Sequence, residues 1–309
     1  MFLSLVRFAA VFSLAFLVMG NAAAFAERGQ TAVHELVVDG VGRRYTVYRP
    51  PQSPARNAPL MIVLHGGLGN ARHAEKMTGM DDVADAGGFL VAYPEGTGGV
   101  FRATENMRTW NAGNCCGQAV RKNSDDVAFI AKMIEEIHAQ YSIDTRRVYV
   151  AGMSNGAMMA YRLACEIPDK IAAIVAVSGT LAVDNCDAAK DIPVLHIHGD
   201  QDKYVPFGGG RGEKSVSGEA HRSVPDTIDL LLRPRRCGPP AKKSSEGIDV
   251  FSYRCSDGAP VELYVINGGG HSWPGGRGRT GAEKEPDGRV FSASRQAWEF
   301  SKQFSKSNH

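Results

Sequence analysis

"PLMIVLHGG", "FLVAYPEG", "RRVYVAG", "IAAIVAVSG" and "IPVLHIHGD" are short runs in which neighbouring residues, not alternate ones, are apolar. A strand with one wet face alternates, so runs of this kind belong to strands covered on both faces. Helical patterns separate them: "ARHAEKMTGMDDVADAGG", "SDDVAFIAKMIEEIHAQYS", a stretch from Asn155 to Ile167 stopped by Pro168, and one from Pro225. The strand "VELYVING" and the helix "SASRQAWEFSKQF" close the series. Such alternation predicts an α/β fold, a mostly parallel central sheet with helices on both faces. "HELVVDGVGRRYTVYRP" reads differently, as two strands turning at Asp39-Gly40 that add antiparallel strands at one edge. Chemistry is then expected at the carboxyl ends of the parallel strands.

Before this series, Arg7, a short apolar stretch and the small residues ending Ala24-Phe25-Ala26 form a signal-peptide pattern. The expectation is a signal peptide over 1–26 and a single domain over 27–309, secreted or periplasmic. The apolar run falls short of the roughly 20 residues a bilayer span needs, so no stable membrane anchor is expected after cleavage. A formal net charge of +2 is too balanced to suggest a nucleic-acid binder. An oxidising compartment favours disulfides among the cysteines at 115, 116, 165, 186, 237 and 255. Proximity along the chain favours 165 with 186 and 237 with 255. The adjacent Cys115 and Cys116 either join each other or pair elsewhere.

The junction "RRVYVAGMSNGAMMAYRLACE" passes from strand to helix with only Gly-Met-Ser-Asn-Gly between them. A turn that tight leaves no room for side chains two residues before and after its apex, which Gly152 and Gly156 satisfy. Ser154 is then the nucleophile of a G-x-S-x-G elbow, raised above the sheet. The Asn155 amide, at the helix N-terminus, is placed to face a developing oxyanion. The pattern alone is weak; its position between strand and helix is what gives it weight.

A serine needs a base, and the base an orienting acid, in the chain order Ser, Asp or Glu, His. His271, in "VINGGGHSWPGG", lies in a glycine-rich loop directly after a late strand and is the candidate base. "LHIHGDQDKYVP" offers Asp200 and Asp202; Asp202 is preferred, because Asp200 lies in the turn itself, where it would bond local amides. His196, His198, Asp200 and Asp202 alternate as metal ligands might, but two histidines on a buried strand are more often satisfied core residues. No metal is expected. The loop "LHGGLGN" supplies the second oxyanion donor, the Gly67 amide, with His65-Gly66 shaping the turn. It lacks the G-x-x-x-x-G-K-[ST] pattern of a phosphate cradle.

Taken together, "LHGG", "TWNAGNCCG", "GMSNGAMMAYRLACE", "HGDQDKYVPF", "SVPDTI" and "GGGHSWPG" resemble the polyhydroxybutyrate depolymerase-like esterases, close to the bacterial feruloyl and acetylxylan esterases of carbohydrate esterase family 1. The resemblance runs from about residue 34 onward. It implies an α/β-hydrolase fold, a Ser-Asp-His triad at Ser154, Asp202 and His271, and no cofactor. The family's H-G-x-x-D-x-x-V-P pattern falls on His198, Gly199, Asp202, Val205 and Pro206, which favours Asp202. Some fungal relatives place cysteines where this chain has Met153 and Ser272, so that bridge is lacking here. Depolymerases of solid polyester usually add a linker and a polymer-binding domain; none is expected here, so solid polyester is not the expected substrate.

The expectation is a serine carboxylic ester hydrolase acting through an acyl-enzyme. Its substrates would be feruloyl or acetyl esters of plant polysaccharide fragments, with short hydroxyalkanoate oligomers as the alternative. A serine peptidase shares the triad, and a non-catalytic polymer-binding protein would be expected to lack one of its members. Trp110 and Trp273 are candidates to stack on an aromatic acid or a sugar, against the commoner fate of core packing. Residues 208–222, glycine-rich and polar, are a candidate flap or an ordinary loop.

Overall fold

The computed structural model of the protein describes residues 29–307 except 100, 102, 216, 246, 257 and 278–290. The expected signal peptide lies outside the described residues. The chain enters on strands β1 (Gln30–Val38) and β2 (Val41–Arg49), which pair from Gln30–Arg49 to Val38–Val41. Asp39 and Gly40 both take positive φ, 49° and 77°, the pair of conformations that suits the twist of a tight hairpin.

Strand β3 (Leu60–Leu64) is buried at every residue. Leu60, Ile62 and Leu64 face one core, Met61 and Val63 the other, so the uniform apolarity of "LMIVL" is spent on two cores. The next helical stretch is not one helix but two, α1 (Ala71–Thr78) and α2 (Met80–Gly87). Gly79 between them is left-handed at φ 57°, and its N–H caps α1 through Glu75 O. Only glycine enters that conformation cheaply, so it turns the chain where apolar spacing alone would continue it.

The rest follows as β4 (Leu90–Pro94), the short α3 (Gly117–Arg121), α4 (Asp126–Tyr141), β5 (Val148–Met153), α5 (Asn155–Glu166) and β6 (Ala173–Val177). Then come β7 (Val194–Gly199), β8 (Gly210–Arg211), β9 (Ala220–His221), α6 (Val224–Leu232), β10 (Ala241–Ser245), β11 (Ile248–Tyr253), β12 (Val261–Ile266) and α7 (Ala293–Ser301). Asp125, Ser223 and Ser292 cap α4, α6 and α7 through their side-chain oxygens.

Among the described residues one ten-stranded sheet runs β1-β2-β4-β3-β5-β6-β7-β12-β11-β10. The six strands from β4 to β12 in that order are mutually parallel; the pairs at either edge are antiparallel. The β10–β11 hairpin is an addition that its exposed "AKKSS" did not announce. Helices α4, α5 and α6 pack on one face, α1, α2 and α7 on the other. From β3 the chain moves out to β4 and returns to β5 on β3's other side. The carboxyl ends of β3 and β5 thus flank the switch point where such sheets form their crevice. All six cysteines are paired: Cys115–Cys116, Cys165–Cys186 and Cys237–Cys255.

Candidate active site

At the carboxyl end of β5 the chain reverses into α5 on Ser154, whose φ and ψ are 55° and −121°. Such a conformation in a residue with a side chain costs of order 1–3 kcal/mol and persists only where its surroundings impose it. They do. A Cβ on Gly152 would meet the Gly156 backbone, and one on Gly156 would lie 2.5 Å from both the Leu64 and His65 carbonyl oxygens. The Ser154 amide is tied to Val177 O of β6 at 2.8 Å. The hydroxyl-bearing residue is held out while its neighbours are pressed into the sheet.

The loop after β3 closes against this turn. Gly66 passes so near that a Cβ there would lie 3.5 Å from that of Ser154, and one on Gly67 would lie 3.8 Å from that of Asn155. His65, fully buried, fixes the loop: Nδ1–H donates to Gly66 O at 2.8 Å and Nε2 accepts from the Gly96 amide at 3.0 Å. Burial drives its pKa down to about 4, so the ring stays neutral and one tautomer satisfies both bonds. The Gly66-Gly67 loop is thereby held against Ser154 and Asn155.

The third part comes from the far strands. Asp202, in the turn after β7, accepts the Tyr204 and Val205 amides on Oδ1 at 2.8 and 2.9 Å. His271, in the loop after β12, donates Nδ1–H to Asp202 Oδ2 at 2.8 Å. Burial alone would raise the Asp202 pKa. The hydrogen bonds from His198 and His271, with the charge of His271, outweigh it and hold the carboxyl well below the usual range. Asp200 is spent elsewhere, on the Gly268 amide at 2.7 Å. The His271 loop is drawn back toward β5 by Ser178 Oγ, just after β6, which donates to Ser272 O at 3.1 Å. Among the described residues no hydrogen bond joins Ser154 Oγ to the imidazole.

Several contacts fall outside what the motifs indicate. The Tyr204 ring stacks on His271 with centroids 4.9 Å apart; its place two residues after Asp202 in the Asp-x-x-Val-Pro turn was the available signal. The Asn155 side chain clamps the Trp110 backbone, accepting its amide at 2.7 Å and donating to its carbonyl at 3.0 Å. Trp110 and Trp273, read from sequence as candidates to stack on substrate, are instead 0% and 1% exposed. Their indole N–H groups are used inside the protein. Trp110 donates to His65 O at 3.0 Å and so braces the Gly66-Gly67 loop. Trp273 donates to Ser294 Oγ at 2.9 Å, anchoring the His271 loop on α7. Core burial wins because each indole finds a partner there.

Within residues 208–222 a short ribbon pairs β8 with β9, Gly210 opposite His221 and Arg211 opposite Ala220. It carries His221, whose proton affinity is lowered by burial and then by the charge of His271. His221 and Arg222 line a cavity of about 290 Å³ with Asn114, Cys115, Thr180 and Leu181. Thr180 follows Gly179, which packs against the Ser154 carbonyl, so this cavity adjoins the elbow. A larger depression of about 650 Å³ lies beside Pro59, Arg147 and Trp298, at the amino ends of the strands and away from Ser154. Among the described residues no group of three or more His, Cys, Asp or Glu side chains is arranged to hold a metal ion. The ring nitrogens of His196 and His198 are occupied by hydrogen bonds within the protein.

Residues 43–205 match the model of the family described as esterase PHB depolymerase. The chain is 31% identical over 267 residues to a putative esterase, NocK, of Nocardia uniformis subsp. tsuyamanensis, covering 80% of this chain and 75% of that protein. It is 30% identical over 256 residues to feruloyl esterase B of Piromyces equi, covering 80% of this chain but only 42% of that longer protein. An acetyl xylan esterase structure from Aspergillus awamori superposes with a TM-score of 0.58 at 15% identity, over 78% of this chain and 94% of that one. At that identity the likeness speaks for the α/β-hydrolase fold alone.

Proposed function

The chain belongs to the PHB depolymerase esterase family and is a carboxylic ester hydrolase by class, and on that premise we propose that it is a secreted serine esterase with Ser154, His271 and Asp202 as its catalytic triad. Its substrates on this reading are small hydroxycinnamoyl (feruloyl) or acetyl esters of plant polysaccharide fragments. The observation that supports it most is the hydrogen-bonded Asp202–His271 pair brought by separate strand ends to the same edge of the sheet as the Ser154 elbow. The feruloyl esterase of Piromyces equi supports the substrate class. So does a cavity of about 290 Å³ beside the elbow, at the small end of ligand pockets and suited to one ring or a short acyl group.

In the reaction, Ser154 Oγ attacks the ester carbonyl carbon as its proton passes to His271 Nε2, the nitrogen left free because Nδ1–H is committed to Asp202. Negative charge collects on the former carbonyl oxygen, facing the Gly67 and Asn155 amides; loss of one such donor typically costs about 10²–10³ in rate. Collapse of the tetrahedral species breaks the bond to the alcohol oxygen, which leaves with the proton from Nε2. Water then gives its proton to the same nitrogen, attacks the acyl-enzyme and releases the acid, restoring the serine. No step requires a cofactor. Secretion accords with the three disulfides and with a leading segment read as a signal peptide. Among the described residues no helix is long and apolar enough to cross a membrane.

The test compares purified mature protein with its Ser154→Ala variant on methyl ferulate, acetylated xylan, hydroxybutyrate oligomers and a peptide substrate. Hydrolysis of the first two should fall by at least about 10³-fold in the variant with the melting temperature kept. Unchanged hydrolysis in the variant sinks the proposal. The match to the PHB depolymerase family model favours short hydroxyalkanoate oligomers as a second reading. Preference for those oligomers would select it, and cleavage of the peptide alone would overturn both.

A further inference from the structure

The mechanism above leaves unused two histidines that β7 buries completely, His196 and His198. Their rings lie parallel, 2° apart in plane with centroids separated by 5.2 Å, on the side of the sheet covered by α5. Tyr161 of α5 reaches down to them, its hydroxyl 2.6 Å from His196 Nδ1. His196 Nε2 is 3.1 Å from His198 Nδ1. His198 Nε2 is 2.9 Å from Val205 O, and the same nitrogen lies 3.4 Å from Asp202 Oδ2.

The direction of this chain follows from its last link. A carbonyl oxygen only accepts, so His198 Nε2 carries a hydrogen. Burial strongly disfavours the cationic form of His196, and in the neutral tautomer of His198 that carries its hydrogen on Nε2, Nδ1 is bare. It therefore accepts from His196 Nε2–H, and His196 Nδ1 accepts from the Tyr161 O–H. Every bond points the same way, from Tyr161 to the turn that carries Asp202. We infer that His198 is a positioning residue for the Asp202 carboxylate, locked as an N–H donor by the chain from Tyr161 through His196.

The consequence lies at Oδ2. The Tyr204 and Val205 amides fix Oδ1, whereas Oδ2 lies 2.8 Å from His271 Nδ1 and 3.4 Å from His198 Nε2. Were His198 in its other tautomer, a bare nitrogen would face both the Val205 carbonyl and the carboxylate, and the turn would open. The chain removes that alternative. The inference rests on Asp202 and His271 serving as the catalytic pair.

The experiment uses the full mature protein and a methyl ferulate or 4-nitrophenyl ester assay across pH, with His198→Gln, His198→Leu and Tyr161→Phe. Glutamine can place a donor N–H near the position of Nε2, whereas leucine supplies none. His198→Leu should lower kcat by about 10-fold or more with KM little changed, and His198→Gln should recover most of the loss. The leucine variant should also move the acid limb of the kcat profile upward by about half a pH unit or more, since a less solvated carboxylate holds the imidazole's proton harder. Tyr161→Phe removes one oxygen atom and should move kcat and the limb the same way by less. The other groups facing the imidazole, the Tyr204 ring and His221, are untouched in all three. Equal loss in His198→Leu and His198→Gln with an unmoved limb would mean packing alone and overturns the inference, as would His198→Leu within two-fold of the parent. If the position-198 variants do not fold, an unmoved limb in Tyr161→Phe overturns it. Activity surviving in Ser154→Ala would instead strike at the triad itself.

Discussion

Asn155 is used twice. Its amide opens α5 beside Ser154, and its side chain holds both polar groups of the buried Trp110 backbone. Asn155→Ala keeps the amide and removes the clamp, leaving the Trp110 N–H buried without its partner at a cost of about 1–3 kcal/mol. The loop it frees also braces His65 through the indole, so kcat/KM should fall by about 10-fold along with the melting temperature. Ser154→Ala, by contrast, should lose activity and keep stability. Thermal melts and kinetics on the two variants separate the roles; an unaltered melt in Asn155→Ala would show that the clamp carries nothing. The placement of Ser154, Asp202 and His271 after the carboxyl ends of strands was legible because each follows a short apolar run. The clamp was not, because its halves are 45 residues apart and asparagine at a helix start already has a local explanation. Trp110 and Trp273 misled for a related reason: sequence shows that an indole is near the site but not which way its N–H finds a partner.

Among the elements, the elbow tolerates little change. Gly156 lies against two carbonyl oxygens of β3 and the loop after it, and neither can retreat without moving Gly66 and Gly67. Gly156→Ala should therefore cost about 1–3 kcal/mol in stability, the usual range for overpacking, and should lower kcat as the amides shift. A Gly156→Ala protein that melts and turns over like its parent would show that the turn has slack. The six parallel strands and the first hairpin were readable because burial on both faces, and Asp-Gly at a two-residue turn, leave marks in adjacent residues. The split between α1 and α2 was readable only as a glycine inside a helical pattern, where apolar spacing on either side of Gly79 argues for continuity. The β10–β11 hairpin was invisible because every residue of β10 is exposed, and an edge strand with two lysines carries no apolar signature.

The two faces of the sheet hold different parts of the candidate site. Helix α5, with Tyr161 and the elbow, belongs to one core; Trp273, Ser294 and Thr78, which anchor the His271 loop, belong to the other. The second core has its own pH response. Asp81, at the start of α2, accepts from the buried Tyr93 hydroxyl at 2.7 Å. Burial, reinforced by the charges of Glu75, Asp85 and Asp82 and only partly offset by that hydrogen bond, raises its pKa to about 7. In the unfolded chain the same carboxyl titrates near about 4. The folded state thus binds the proton more tightly. Its contribution is complete below about pH 4, declines as the pH rises, and is gone once the folded carboxyl ionises near pH 7. Asn at this position keeps an acceptor for Tyr93 and has no proton to lose. The stability of Asp81→Asn relative to the parent should rise between pH 4 and pH 8 by on the order of 2 kcal/mol, a few degrees of melting temperature. Melting curves of the two proteins that stay parallel across that range would exclude Asp81 as the titrating group. On the proposed mechanism an imidazole base acts in its neutral form and so favours higher pH, while this carboxyl favours lower. Replacing Asp81 should therefore widen the alkaline range over which the folded enzyme persists without altering the chemistry at Ser154.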